Sequence, residues 1–336
     1  MTEAAVIFGL EGAELTANER AFFKSAEPWG LILFQRNCAS RTQVKRLTDD
    51  LRALTGRDHL PILIDEEGGR VQRLKPPEWR KRPAMRTFGK LYEIDRSRGL
   101  EAARLNAQLI AEDLGELGIN VDCVPSLDVP VPGSHNIIGD RAFGEDPAEV
   151  ATLGRAVAET VLAAGMLPVI KHMPGHGRAT LDTHEALPRV STSRAELART
   201  DFAPFKALND QALGMSAHVI FESIDPDLPA TLSPKVISEI IRGEIGFQGL
   251  LMTDDLNMNA LQGTVASRAS RALSAGIDVI LHCNGKLGEM EEIAKVVPKL
   301  AGKSQARAGA AIELLKRPRA QVKIAQVEQR LKELLI

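Results

Sequence analysis

Short apolar segments alternate with longer amphipathic segments along nearly the whole chain, and this alternation limits the possible folds more than any other feature. Regular alternation of strands and helices is typical of a parallel sheet. About eight such units in 336 residues favour an α/β fold of the closed (β/α)8 TIM type over a doubly wound sheet. The apolar segments that predict strands are residues 6–8, 31–34, 61–64, 121–124, 167–170, 214–219, 250–253 and 279–281.

Capping signals mark several of the helices between these strands. Thr16 followed by Glu19 is a capping box, and Ser40 and Gly56 are typical of the first and last caps of a second helix. Residues 287–336 are rich in Glu, Lys, Leu and Ala and predict extra helices on the outside of the barrel. No linker divides the chain, so residues 1–336 are predicted to form a single domain. The other predicted helices cover residues 87–117, 147–164, 194–208, 233–244 and 265–275.

The composition is that of a globular protein, with 44% hydrophobic and 26% charged residues. The net charge of −2 gives no reason to expect binding to nucleic acid or to an anionic membrane. No apolar run approaches the roughly 18 residues of a membrane span, and the N-terminus lacks the basic start of a signal peptide. Cys38, Cys123 and Cys283 are far apart and predict reduced thiols, which favours the cytoplasm. Without a GxGxxG after the first strand or a CxxC, neither a cofactor nor a structural metal is predicted.

Polar residues stand at the ends of six predicted strands. A barrel of this type carries its catalytic groups just after the C-terminal ends of its strands, so these residues predict a site. In the stretch Lys171–Gly177, the residues Pro174, Gly175 and Gly177 predict that the strand stops at Ile170 and the chain turns sharply. The six positions are Asp65, Asp128, Lys171–His172, His218, Asp254 and His282.

Two carboxylates and one imidazole are candidates for chemistry. Asp254 and Asp255 are adjacent, so in an extended strand only one points into the barrel mouth. Asp254 is the better candidate, and Asp255 is equally well interpreted as a cap of the next helix. Asp182 and His184 are two residues apart in a turn-rich loop, where a carboxylate–imidazole hydrogen bond would favour a protonated ring. The spacing alone is also that of a surface histidine beside a turn-forming aspartate.

A fixed carboxylate opposite a proton donor suits cleavage of a glycosidic bond. Charged side chains nearby would hydrogen bond to sugar hydroxyls. With ten Phe, two Trp and one Tyr, an aromatic platform for long glycans is not expected, which favours a small pocket for one terminal sugar. The predicted sugar-binding residues are Asp65, Arg73, Arg141, Lys171 and His172.

Five motifs stand in order along the chain, namely DEEGGRVQR (65–73), RAFG (141–144), KHMPGHG (171–177), DTH (182–184) and TDDL (253–256). As a set they resemble the bacterial β-N-acetylhexosaminidases of glycoside hydrolase family 3. The resemblance implies one (β/α)8 barrel that removes terminal β-linked N-acetylglucosamine, with cytoplasmic peptidoglycan fragments carrying anhydro-N-acetylmuramic acid as the substrate. It also implies Asp254 as nucleophile, His184 as acid/base and Asp182 as the partner of His184. Met173 and the turn Arg178-Ala179-Thr180 depart from the family's usual residues.

Two alternatives remain open from the residues alone. A metal-dependent barrel hydrolase would use His172, His176 and Asp254, although Pro174 and Gly175 keep the two histidines off one helical face. A sugar-binding barrel without catalytic activity is the other alternative. The residues also leave open the leaving group, the transfer to water or to phosphate, and any protein partner.

Overall fold

The computed structural model describes residues 2–179, 181, 187–319 and 322–336. Eight strands form a closed barrel in which every neighbouring pair is parallel, so the predicted (β/α)8 architecture is confirmed. The barrel strands are β1 (Ala4–Gly9), β2 (Pro28–Leu33), β3 (Ile62–Ile64), β4 (Val121–Asp122), β5 (Leu167–Met173), β7 (Leu213–Ser216), β9 (Leu250–Asp255) and β10 (Val279–His282). Strands β6 (Arg189–Val190) and β8 (Ile220–Phe221) form a separate two-stranded sheet.

Helices follow the strands around the outside. They are α1 (Ala17–Ala26), α2 (Arg41–Thr55), α3 (Met85–Ile94), α4 (Arg96–Glu116), α5 (Pro147–Ala163), α6 (Arg194–Arg199), α7 (Ala203–Ala207), α8 (Val265–Ala275), α9 (Leu287–Ala294), α10 (Gly302–Leu315) and α11 (Ile324–Leu335). A helix with π-type hydrogen bonding, Val236–Glu244, lies between β8 and β9. Among the described residues, none of the helices is both long and apolar enough to cross a membrane.

The predicted caps are confirmed at atomic level. Thr16 Oγ1 accepts the backbone N–H of Glu19 at 3.2 Å, and a Glu19 carboxylate oxygen accepts the backbone N–H of Thr16 at 3.0 Å. Ser40 Oγ accepts the backbone N–H of Gln43 at 3.2 Å. Gly56 ends α2 at φ +64°, a left-handed conformation that glycine adopts without strain. These local signals therefore fix where the first two helices begin and end.

The helix predicted over residues 87–117 is wrong, since the chain forms two helices that meet at Asp95. Asp95 has extended backbone angles (φ −143°, ψ 107°), and its side chain accepts the backbone N–H of Arg98 at 3.0 Å as the first cap of α4. The helix predicted over residues 194–208 is likewise interrupted between α6 and α7, where Asp201 is almost fully buried. In both places an aspartate leaves the helical backbone and accepts hydrogen bonds instead.

Strand β5 is longer than predicted, because it continues through Met173 and does not stop at Ile170. The added residues hydrogen bond to both neighbours: Lys171 O accepts the backbone N–H of Leu127 at 2.7 Å, and Met173 O accepts that of Ala217 at 2.7 Å. These partners are distant in sequence and outweigh the local turn signal of Pro174. The extension delivers Lys171 and His172 from a strand, which fixes their side chains more firmly than a loop does.

Alternating strand residues form two apolar layers. Ile7, Val169 and Met252 pack inside the barrel, while Phe8 and Ile170 pack between the barrel and its helices. Helix α10 covers the end of the barrel at which the strands begin, and its residues Ala308 and Ala311 join the interior cluster. The assignment of residues 1–336 to a single domain stays a prediction.

Candidate active site

A cavity of about 340 Å³ lies at the C-terminal ends of the barrel strands. This volume lies near the lower end of ordinary ligand pockets, roughly 300–1,000 Å³. All five predicted sugar-binding residues and the predicted nucleophile line it. Asp182 and His184 lie outside the described residues, as does Thr180. The lining residues that the sequence predicted are Asp65, Arg73, Arg141, Lys171, His172 and Asp254.

Lys171 is the central cation of the cavity floor. Its Nζ donates to Asp65 Oδ1 at 2.8 Å and lies 2.6 Å from Glu67 Oε1, while its side chain is 1% exposed. Burial alone would lower the pKa of Lys171, but the two carboxylates raise it above its usual value, so the amine stays protonated. Arg73 donates to the other oxygen of Asp65 at 3.1 Å. Asp65 therefore bridges two cations.

Glu67 is a buried site residue that was not predicted. Arg141 holds it with two parallel hydrogen bonds, from Nε at 2.9 Å and from a terminal nitrogen at 2.8 Å. Burial alone would raise the pKa of Glu67, but the charges of Arg141 and Lys171 lower it to about 2. The signal was present in the sequence, because residues 65 and 67 of an extended segment lie on the same face.

Asp128 lies beneath His172 and fixes its ring. Asp128 is fully buried, and its Oδ2 lies 2.7 Å from His172 Nδ1. Burial alone would raise the pKa of Asp128, but its contacts with His172 and His176 lower it below the usual value. The ionised carboxylate accepts a hydrogen bond from Nδ1–H, so Nε2 carries no proton and faces Arg141 at 3.4 Å and the cavity.

Asp254 lies at the C-terminal end of β9, inside the cavity. Its Oδ1 accepts the backbone N–H of Asp255 at 2.8 Å. Burial alone would raise the pKa of Asp254, but its electrostatic interactions with His172 and His218 lower it, so this carboxylate is ionised at neutral pH. A charged carboxylate in a concave site can act as a nucleophile, a base or a metal ligand.

Asp255 does not cap the next helix, so that interpretation is wrong. The first cap of α8 is Thr264, and Asp255 Oδ1 instead accepts the backbone N–H groups of Asn257 and Cys283, each at 3.1 Å. Asp255 also borders the cavity, so both adjacent carboxyl groups reach the barrel mouth. Burial and the neighbouring Asp254 charge raise the pKa of Asp255 to about 6. Asp255 thereby ties the end of β9 to the end of β10.

The six polar strand ends do not all line the cavity. His218 is fully buried below it, where its Nδ1 lies 2.8 Å from Thr231 Oγ1 and its Nε2 lies 3.0 Å from the backbone oxygen of Asp255. His282 Nε2 lies 3.1 Å from Glu289 Oε2, away from the cavity lining. These two imidazoles brace the strand ends, while Asp65, Lys171, His172 and Asp254 face the cavity.

His176 lies at the cavity beside His172, with ring centres 5.7 Å apart. Burial, with a smaller contribution from the neighbouring His172, lowers the pKa of His176 to about 4, so its ring is neutral at pH 7. Within the described ranges, no group of three or more His, Cys, Asp or Glu side chains is placed to hold a metal ion. His172, His176 and Asp254 therefore do not form the metal-binding set that the alternative requires.

Comparisons with known proteins agree with this geometry. The family model described as the glycosyl hydrolase family 3 N terminal domain matches residues 8–332. A β-hexosaminidase of Bordetella avium is 38% identical over 283 residues, which are 83% of this chain and 80% of that protein. The crystal structure of NagZ from Neisseria gonorrhoeae in complex with N-trifluoroacetyl-D-glucosamine matches with a TM-score of 0.89 and 30% identity, covering 100% of this chain and 99% of that one. A family 3 β-N-acetylglucosaminidase from Paenibacillus sp. matches with a TM-score of 0.86 and 30% identity, covering 98% of this chain but 66% of the longer protein.

Proposed function

The chain belongs to glycoside hydrolase family 3, as a hydrolase of the bacterial β-N-acetylhexosaminidase type, and from this premise we propose that it removes terminal β-linked N-acetylglucosamine with retained configuration. The observation that carries the proposal is the placement of Asp254, an ionised carboxylate at the end of β9 that shares one cavity with the cations Lys171 and Arg141. A cavity whose floor is formed by the ends of the barrel strands suits an exo-acting enzyme, which removes one terminal sugar at a time.

In the first step, a carboxylate oxygen of Asp254 attacks the anomeric carbon while His184 donates a proton to the leaving oxygen. The bond between the anomeric carbon and the leaving group breaks, and a glycosyl ester forms on Asp254. In the second step, His184 takes a proton from water, and the resulting nucleophile cleaves the ester. Two displacements at one carbon restore the original configuration. Asp182 would hold His184 in the protonated state that the first step requires.

The remaining charged groups of the floor would bind the sugar. Lys171, Arg73 and Arg141 are already paired with carboxylates, so their free N–H groups are oriented before the substrate enters. Carboxylate oxygens of Asp65 accept hydrogen bonds from hydroxyl groups. His172 Nε2 can accept a further hydrogen bond, since Asp128 fixes the other ring nitrogen. Such a set recognises hydroxyl groups on several carbons of one ring.

The natural substrate that we propose is a cytoplasmic peptidoglycan fragment in which N-acetylglucosamine is joined to 1,6-anhydro-N-acetylmuramic acid, with or without its peptide. The small cavity and the low aromatic content support a short substrate. An amino-sugar derivative is the ligand of the Neisseria gonorrhoeae protein, which supports an N-acylated glucosamine in this cavity. The three free cysteines support an intracellular location.

The first experiment compares 4-nitrophenyl β-N-acetylglucosaminide with the matching β-glucoside. We expect turnover of the first and at least about a tenfold lower kcat/KM for the second, because a pocket specific for N-acetylglucosamine would leave polar groups unpaired when the acetamide is absent. Running the reaction with and without phosphate distinguishes free N-acetylglucosamine from its 1-phosphate. Equal turnover of both glycosides would contradict the amino-sugar specificity, and a 1-phosphate product would contradict hydrolysis.

The second experiment tests the assigned roles. A slow fluorinated glycoside should label Asp254, as located by mass spectrometry of the digested protein. Substituting His184→Ala should cost about 10²–10⁴-fold with poor leaving groups and much less with activated aryl groups. A label on another residue would contradict Asp254 as nucleophile. Equal losses on good and poor leaving groups would contradict the acid role of His184.

A further inference from the structure

One wall of the cavity is formed by residues 136–141, in the connection between β4 and α5. Ile137 and Ile138 line the cavity directly, and Arg70 borders it beside them. The same segment ends at Arg141, whose two hydrogen bonds to Glu67 hold it over the cavity floor. The shape of the pocket on this side therefore depends on what fixes this segment.

Arg70, in the connection after β3, holds the other end of the wall. One terminal nitrogen of its guanidinium lies within hydrogen-bond distance of three successive backbone oxygens, those of Asn136 at 2.6 Å, Ile137 at 2.7 Å and Ile138 at 2.8 Å, and its two N–H protons are shared among them. Its Nε lies 3.1 Å from Asp140 Oδ1 in an exposed pair that contributes little. A cation placed against three neighbouring carbonyl groups of a single segment fixes the path of that segment.

Gly139 makes room for this contact. It has φ +45°, and a β-carbon there would lie 2.1 Å from Asn136 Oδ1 and 3.1 Å from a terminal nitrogen of Arg70. Any larger residue would therefore be strained and would displace the guanidinium. The guanidinium of Arg70 therefore packs closely against the backbone at Gly139, a contact that an arginine pointing into solvent would not make.

Glu67 and Arg70 belong to the same connection, three residues apart, and they hold opposite ends of the wall. A third contact comes from the other side, where the backbone N–H of His135 donates to the oxygen of Ala179 at 2.8 Å. This contact and the Glu67 pair remain if Arg70 is lost. The expected consequence is a shifted wall and not an unfolded segment.

We propose that Arg70 is a positioning residue for the sugar pocket, acting through the carbonyl groups of residues 136–138 to set the positions of Ile137 and Arg141. The assignment rests on the proposed function, since it is the bound amino sugar that the wall would contact. Arg70 itself needs no contact with the reacting atoms. Its loss should weaken binding in the ground state and the transition state alike, which raises KM more than it lowers kcat.

The test uses the full chain with Arg70→Met, Arg70→Lys and Gly139→Ala. For Arg70→Met we expect KM for 4-nitrophenyl β-N-acetylglucosaminide to rise about 10- to 100-fold, the range for losing a charged hydrogen-bond donor, with kcat within about threefold. Arg70→Lys should recover a clear part of this loss, because its ammonium group keeps the positive charge and carries three N–H donors. Gly139→Ala should raise KM although Arg70 is still present.

Two controls remove arginine pairs without touching the wall carbonyls. Asp140→Asn removes the ion pair of Arg70 alone. Arg330→Met, on α11, removes a two-bond pair with Glu101 on α4. Both should leave KM within about twofold, as expected of exposed ion pairs. Thermal unfolding of each variant confirms that the fold is retained.

Binding of N-acetylglucosamine, measured by calorimetry, separates this proposal from the proposed function. If the unmodified chain binds the sugar but does not cleave the glycoside, the function fails, while a weaker Kd in Arg70→Met still supports the positioning role. An unchanged KM and Kd in Arg70→Met, or an Arg70→Lys variant no better than Arg70→Met, would overturn the role of Arg70.

Discussion

Substituting Asp128→Asn tests how the site fixes a histidine tautomer. Asp128 Oδ1 accepts the backbone N–H groups of His172 at 3.3 Å and His176 at 2.7 Å. Its Oδ2 lies 2.7 Å from His172 Nδ1 and accepts the hydroxyl proton of Ser126 at 3.0 Å. Two backbone donors require an oxygen at the Oδ1 position, so the asparagine must place its amino group where Oδ2 now lies.

The amino group then faces His172 Nδ1 with a proton of its own. The ring must shift its proton to Nε2, which lies 3.4 Å from a terminal nitrogen of Arg141, so two donors meet where a donor and an acceptor now face each other. The loss is that of a hydrogen bond to a charged group, about 1.5–3 kcal/mol. This free energy corresponds to about a 10- to 150-fold fall in kcat/KM.

The assay measures kcat/KM with the aryl N-acetylglucosaminide for Asp128→Asn and for the control Ser126→Ala. The control removes one hydrogen bond to the same Oδ2 but leaves the carboxylate and the tautomer of His172 in place, so its kcat/KM should stay within about threefold. Nuclear magnetic resonance of labelled His172 would report the tautomer directly. A variant Asp128→Asn with unchanged kcat/KM, or one that keeps the proton on Nδ1, would refute the reasoning.

Three further predictions follow from the charges of the site. Burial raises the pKa of Glu66 from 4.5 to about 7, so the folded state binds more protons and its stability falls as the pH rises between these values. Glu66→Gln should remove about 3 kcal/mol of this pH dependence. Equal slopes of unfolding free energy against pH in the variant and the unmodified chain would contradict it. Lys171→Met leaves Asp65 and Glu67 without their shared cation and should cost about 3–5 kcal/mol in denaturant unfolding, while a loss below about 1 kcal/mol would contradict that pairing. The lowered pKa of Asp254 predicts that protonation of this group causes no loss of kcat/KM above about pH 4. A fall of kcat/KM below about pH 6 that persists when each other titratable residue of the site is substituted would contradict this prediction.

The architecture could be predicted because its signals are local and repeated. The capping box at Thr16, the caps at Ser40 and Gly56, and the apolar strands each follow from a few neighbouring residues. The failures have two causes. Strand β5 extends as far as the residue before Pro174 because strand neighbours distant in sequence supply hydrogen bonds. The helix break at Asp95 is local, since its side chain caps the next helix, and this cap was overlooked within a long helical pattern.

The sequence predicted the cations that line the cavity more completely than the carboxylates that pair with them. Strand-end position and the motifs indicated Lys171 and Arg141, and both line the cavity. Glu67 was not predicted, and Asp128 was predicted as a strand-end residue without a role, because both roles depend on the partner that each one meets across the barrel. The wrong interpretation of Asp255 has the same origin, since one of its backbone donors is Cys283, just after the neighbouring strand β10, and not the start of a helix.

The paired charges of the floor explain how such a site stays in place without substrate. Lys171 meets both Asp65 and Glu67, and Arg141 meets Glu67, so each buried charge has an opposite charge within hydrogen-bond distance. Buried pairs of this kind contribute little net stability, because desolvation offsets much of their attraction. Their consequence is geometric: donors and acceptors are oriented before a sugar enters, and no reorganisation is needed as charge develops at the anomeric carbon. On this argument, mutating one member of a pair should disturb the partner's position as much as its charge, so activity should fall even where the altered residue never touches the substrate.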